Sequence, residues 1–149
     1  MKNLFTVWAF GIILDEENRV LLCHRTDYDI WNLPWGGLNI DEAPWDCVVR
    51  EIKEEVGLDV EVINLVGIYS RINKADIAFS FICRVIGWEI SLSDEANQIE
   101  YFSLDEIPRN TSPSQVERIK DFLEKKDDNP IMKIQSNPSS IDLIKQGKL

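Results

Sequence analysis

A chain of 149 residues suffices for one domain with its own hydrophobic core, and 44 % hydrophobic with 28 % charged residues excludes a largely disordered polymer. The formal net charge of −10 argues against a general binder of polymeric nucleic acid or anionic membrane, which would carry a basic face. An acidic chain can still hold a phosphate ester where metal ions mediate the contact.

Leu4 to Leu14 is rich in β-formers and predicts a long strand, bent at Gly11. After the polar turn Asp15 to Asn18, Arg19 to Arg25 predicts a second strand returning as its hairpin partner. The near-continuous Val20, Leu21, Leu22 and Cys23 suit a strand covered on both faces. Thr26 to Ile30 reads as a loop. Trp31-Asn32-Leu33-Pro34 is a short extended piece that leads into Gly36 and Gly37, because a proline favours extended geometry in the residue before it. Trp45, Val48, Val49, Ile52 and Val56 recur at three- and four-residue steps and predict an amphipathic helix with Trp45 in the core, stopped by Gly57 as a left-handed cap.

Asp59 to Tyr69 alternates as a strand with a slip near Asn64, residues 71–76 form a hairpin tip, and Ile77 to Ile86 is a strong central strand. Ser91 to Asn97 is an acidic loop, Gln98 to Phe102 a short strand and Ser103 to Pro108 a turn. Ser112-Pro113 opens a second helix as N-cap and first helical residue. Strands on either side of one helix, with a second helix at the end, predict a layered α/β/α or α+β domain around a mixed sheet. The domain is expected over 1–126. The tail 127–149 is half polar, and in it Ile131 to Ile134 would add an edge strand or serve an interface, a homodimer among the candidates.

Cys23, Cys47 and Cys83 are odd in number, well separated and lack any C-x-x-C pairing, so they read as buried thiols of a reducing compartment. Met1-Lys2-Asn3 runs straight into strand-like sequence without a signal peptide, and no apolar run approaches the ~20 residues of a membrane span. The expectation is a cytoplasmic, soluble protein.

The helix carries an unusual load of acid. Glu51, Glu54 and Glu55 share a face at i, i+3 and i+4, where like charges repel by a few tenths of a kcal/mol per pair, roughly. For a bare Glu-Glu pair the ordinary reading is a solvated face. Here Arg50 sits beside the first Glu, Glu42 stands eight residues before Arg50, and Gly36 and Gly37 precede it by fourteen and thirteen. A divalent cation held by the carboxylates would turn repulsion into coordination.

As one pattern, Gly36, five residues, Glu42, seven residues, then Arg50-Glu51-Ile52-Lys53-Glu54-Glu55-Val56-Gly57-Leu58 resembles the Nudix box, with every specified position filled. Trp31-Asn32-Leu33-Pro34 looks like the family's leading strand and Tyr101 to Pro108 like its closing strand and turn, so the resemblance spans roughly 4–125. Where relatives place a glycine after the proline, this chain has Trp35, and it has Asn39 and Asp41 where they often have Glu and Gly.

The resemblance implies a Nudix-type α/β/α sandwich with a central mixed sheet. It also implies a MutT-like pyrophosphohydrolase that cleaves a nucleoside diphosphate linked to another moiety, with Mg²⁺ as cofactor and Mn²⁺ as substitute. By position it makes Glu51 and Glu55 the main metal ligands, with Glu54 beside them and the Gly36 carbonyl as a further ligand. Arg50 would orient Glu51, Glu42 would support the loop–helix junction, and a downstream Glu, with Glu95 preferred over Glu100, would supply a ligand or the general base. The alternative is a nucleotide-sensing module of the same fold without turnover.

For the substrate, Arg25 lies near a strand end and could contact phosphate, as could Arg71 and Lys74 at the hairpin tip, although such cations are more often simply solvated. Trp31 or Trp35 could stack on a base, with loop packing as the default for each. His24 reads as a strand residue and not as a catalyst. The resemblance supplies subfamily markers as well. The proline about fifteen positions beyond the box and the tyrosine slightly further on are both absent, Asn73 and Lys74-Ala75-Asp76 standing there. By elimination a nucleoside triphosphate or a sugar nucleotide is left as substrate, a small molecule in either case.

Overall fold

The computed structural model describes residues 4–72, 74–87 and 96–149. Its elements run β1 (Thr6–Ile13), β2 (Val20–Arg25), β3 (Trp31–Asn32), β4 (Trp35–Gly37), α1 (Pro44–Val56), β5 (Asp59–Arg71), β6 (Asp76–Gly87), β7 (Ala96–Phe102), a 3₁₀ turn (Leu104–Glu106), α2 (Pro113–Leu123), β8 (Ile131–Gln135) and α3 (Ser140–Lys145). Among the described residues no helix is long and apolar enough to cross a membrane.

Two sheets are formed. The larger is mixed, in the order β4-β1-β6-β5-β8, with β1 parallel to β6 and β8 parallel to β5; the smaller is β3-β2-β7. β1 shows why this becomes a sandwich. Ala9 and Ile13 pack with Cys47, Val48, Ile52 and Val56 of α1, while the alternate residues Phe10 and Ile12 pack with Ile119 of α2. Between them Gly11 leaves room for α1, since a Cβ there would meet Ile52 Cδ1 at 2.6 Å. β2 is buried on both faces in the same manner, Leu21 and Cys23 joining one core and Val20 and Leu22 the other. All three cysteines are buried free thiols, as their spacing suggests.

The expected hairpin of the first two strands is not formed. A tight turn does join them, with the Asp15 carboxylate accepting from the backbone N–H groups of Glu17 and Arg19, but only one bridge, Leu14 to Val20, links the strands. β1 instead pairs with β4 and β6, and β2 with β3 and β7. Each strand is apolar on both sides, and separating them gives each two hydrogen-bonded neighbours in its own sheet.

Trp45 is the second correction: it is 57 % exposed and not in the core. The buried stripe of α1 is Cys47, Val48, Ile52, Glu55 and Val56, rotated away from the row containing Trp45 and Val49. Cys47 and Glu55, which do not read as apolar anchors, set that rotation. Elsewhere the strand over Asp59–Arg71 shifts register between Val62 and Asn64, at the expected slip, and Gly57 closes α1 with φ 77°. The acidic loop expected over Ser91 to Asn97 falls mostly outside the described residues, as do Trp88 and Glu95. α3 was given no helical signal by the polar tail; its six residues hold too few apolar positions to display a period.

Candidate active site

β4 pairs antiparallel with β1, Ala9 opposite Gly36, and so lies under the middle of α1. The approach is very close: a Cβ built on Gly36 would fall 2.1 Å from Glu51 Cδ and 2.2 Å from Glu51 Oε1. Only a residue without a side chain lets the Glu51 carboxyl fold against the backbone here. Gly36 is required by this contact and not by an unusual φ, since the described positive-φ glycines are Gly57 and Gly147.

Arg50 ties the loop to the helix. Its Nε and Nη2 donate to the two Glu42 oxygens at 2.7 and 2.8 Å, Nη1 donates to Glu51 at 2.8 Å and Glu54 at 3.1 Å, and Nη2 also reaches the Gly37 carbonyl at 3.3 Å. The Glu42 carboxylate also accepts from the Asn39 N–H at 3.1 Å. The bidentate Arg50 bond, opposed in part by desolvation, holds the Glu42 carboxyl down at about 2. A depressed carboxyl stabilises the fold above its unfolded value of 4.5 and loses that contribution as pH falls from there towards 2. Glu42→Gln is therefore expected to flatten the acid limb of the stability profile across that window, measured by denaturant unfolding at stepped pH.

Glu55 is 8 % exposed and accepts from the Trp35 backbone N–H at 3.2 Å. Glu51 and Glu55 both line a cleft of about 440 Å³ together with Arg25, Asn32, Gly36 and Gly37. Glu54 stands apart, its side chain 56 % exposed and hydrogen-bonded to Arg50. Two carboxylates, Glu51 and Glu55, thus share one cleft with Gly36, whose carbonyl accepts from the Cys47 thiol at 3.7 Å. Among the described residues no three Asp, Glu, His or Cys side chains lie close enough together to hold a metal ion by themselves.

A second cavity, of about 250 Å³, adjoins the first and shares Trp8, Arg25, Asn32 and Trp35 with it. Trp35 occupies the junction, stacked on Phe10 (5.5 Å, 13°) and edge-on to Trp8 (5.1 Å). Arg25 is held by Asp27 through bonds of 2.7 and 2.6 Å. Arg71 lines the second cavity and donates to the Asn137 carbonyl at 2.9 Å. Of the five residues expected from the sequence to meet substrate, Arg25, Trp35, Arg71 and Lys74 line one or both spaces and Trp31 does not. Trp31 packs in the core against Phe102. His24, at the end of β2, has its ring nitrogens 2.8 Å from Asp29 and Asn97, and the Asp29 bond raises its pKa. Sequence reasoning missed Asn32, Gln115, Arg118 and the segment 138–141 in the second cavity; an Arg or Gln on a helix gives no periodic signal that separates lining from solvent.

Comparison with known proteins agrees with this geometry. The NUDIX domain model matches residues 5–124. A MutT-like protein of Streptomyces ambofaciens is 32 % identical over 121 residues, 81 % of this chain and 79 % of its own length. A putative 8-oxo-dGTP diphosphatase of Bacillus subtilis is 30 % identical over 146 residues, 96 % of this chain and 97 % of its own. The crystal structure of an ADP-ribose pyrophosphatase from Streptococcus suis superposes with a TM-score of 0.73 at 25 % identity, covering 89 % of this chain and all of that one. The chain therefore belongs to the Nudix family of hydrolases, enzymes acting on acid anhydrides.

Proposed function

We propose that the chain hydrolyses a pyrophosphate bond of a nucleoside triphosphate, using a divalent cation, Mg²⁺ or Mn²⁺, at the Gly36–Glu51–Glu55 cleft. The observation that carries this reading is the placement of Glu51 and Glu55 on one cleft, with the Glu51 carboxyl folded against a backbone that has no Cβ. Glu51, Glu55 and the Gly36 carbonyl would hold the ion, while Glu54, bonded to Arg50, stands outside the cleft lining. When bound, the cation would neutralise the phosphates and acidify a water. Arg50 orients Glu51 and keeps Glu42 against the loop. Arg25 and Arg71 steady the anionic substrate, and Trp35 gives the nucleoside an aromatic wall.

Glu95 is the proposed general base, its carboxylate taking the proton of the attacking water. Ala96, the residue after it, lines the cleft, whereas Glu100 is exposed and bonded to Gln98. A nucleoside triphosphate is favoured by the Bacillus subtilis relative, which aligns over nearly the full length of both chains. The Streptococcus suis structure supports a second reading, a nucleoside diphosphate linked to a sugar.

The test is a panel of nucleoside triphosphates, sugar nucleotides and ADP-ribose incubated with Mg²⁺ or Mn²⁺, with products identified by mass. Cleavage of a triphosphate to phosphate-bearing products is the expected result, and binding without turnover would make the chain a sensing module. Mg²⁺ alone should also stabilise the protein by linkage. At 100-fold over its Kd the gain is about 2.7 kcal/mol, roughly a 5–10 °C rise in Tm. No rise with Mg²⁺ or Mn²⁺ would argue that the acidic helix is a solvated face.

A further inference from the structure

The family match ends at residue 124, yet the chain beyond it builds part of the second cavity. β8 brings Gln135, 2 % exposed, against α2, and Pro138 to Ile141 then run along the cavity wall. Gln135 Oε1 accepts from Nε and Nη2 of Arg118 at 3.0 and 2.8 Å, while its Nε2 donates to the Ser114 carbonyl and to Glu117 at 3.0 and 3.2 Å. The amide is thereby fixed at both ends.

Arg118 itself is 3 % exposed and lines the cavity, its guanidinium carbon 4.4 Å from the Phe10 ring centroid and 5.0 Å from that of Tyr69. No carboxylate among the described residues comes within ion-pair distance of it, and its Nη1 is enclosed without an acceptor. A guanidinium has five N–H donors and stays charged, so an edge left without a protein acceptor beside a cavity favours a ligand that brings one. The neighbouring walls, Trp8, Phe10 and Trp35, are aromatic and suit a planar ring.

On the nucleotide reading above, the phosphates occupy the carboxylate cleft and the nucleoside reaches this cavity. We propose that Arg118, fixed by Gln135 of the C-terminal segment, is the specificity residue of the cavity and selects a nucleobase bearing a ring carbonyl where adenine bears an amino group. A carbonyl accepts from the guanidinium, whereas an amino group sets donor against donor.

The test compares inosine triphosphate with purine riboside triphosphate, which lacks the C6 carbonyl. Wild-type kcat/KM should favour the former by about tenfold or more, since a site built to bond a polar group rejects the analogue without it. In Arg118→Met the two substrates should converge to within about twofold of each other, and Gln135→Met, which frees the guanidinium, should narrow the ratio at least about threefold. Equal use of both substrates by the wild type, or a full ratio kept by Arg118→Met, overturns the assignment. Should Arg118→Met fail to fold, the wild-type ratio and Gln135→Met decide. Calorimetry with the two nucleoside monophosphates needs no turnover. A chain that hydrolyses neither triphosphate but binds inosine monophosphate about tenfold tighter refutes the reaction while upholding Arg118, and equal or absent binding of both overturns it.

Discussion

Glu55→Gln is expected to leave the protein folded and to cut Mg²⁺-dependent turnover at least ~100-fold, or about 2.7 kcal/mol of barrier. The substitution conserves shape at a site that is 8 % exposed, and the amide oxygen can still accept from the Trp35 N–H. What it removes is negative charge from a largely desolvated carboxylate lining the cleft beside Glu51. Hard cations bind oxygen ligands mainly through that charge, so affinity for Mg²⁺ and turnover should fall together. Near-UV circular dichroism and denaturant unfolding check the fold, and kcat with titrated Mg²⁺ checks the rest. A folded Glu55→Gln protein with wild-type turnover would remove Glu55 from the mechanism.

A comparable loss is expected from the smallest possible insult on the opposite wall. In Gly36→Ala the new methyl would overlap the Glu51 carboxyl, at 2.1 Å from Cδ and 2.4 Å from Cγ. Glu51 is attached to a helix pinned by Val48, Ile52 and Val56, all fully buried, so the side chain and not the helix must move. It would leave its bond to Arg50 and its place over the β4 backbone. Turnover should drop by about 100-fold or more, on the scale found when a single positioned hydrogen-bonding group is lost from a reacting centre. Gly37→Ala is the control, because a Cβ there meets only the Trp8 ring edge, at 3.3 Å. Kinetics of the pair, with unfolding curves for both, separate a site effect from a general packing effect.

How much of this was legible beforehand follows from the range of each interaction. The loop–helix unit is local: Gly36, Glu42, Arg50 and Gly57 lie within one stretch, and their spacing alone brings Arg50 onto Glu42 and Glu51. The cap at Gly57 and the slip near Asn64 are likewise written in neighbouring residues. The sheet partition was not, because β1 chooses β6, with Thr6 opposite Asp76, over the strand that follows it. Choice among apolar strands depends on which helices cover them, and no single strand records that. Trp45 misled for a similar reason. Its row is apolar, but the sheet selected the row rotated towards Cys47, which leaves Trp45 57 % exposed.

The second cavity was the least legible part. Arg25, Trp35 and Arg71 were marked by position near strand ends and glycines, but their partners arrive from far along the chain, Arg71 bonding to Asn137 and Arg118 to Gln135. A polar tail residue carries no mark of a buried partner. Trp35 has a physical role: it packs on Trp8 and Phe10 at the point where the two cavities meet.

The most direct measurement is hydrolysis in ¹⁸O-labelled water with Mg²⁺, followed by mass analysis of the phosphate-bearing products. The account predicts turnover of a nucleoside triphosphate that stops when the metal is chelated, with one labelled oxygen on a single phosphate-bearing product, as attack by water on phosphorus requires. A folded protein that turns over no nucleotide or sugar nucleotide in Mg²⁺ or Mn²⁺, or that turns one over equally well in chelator, would contradict it.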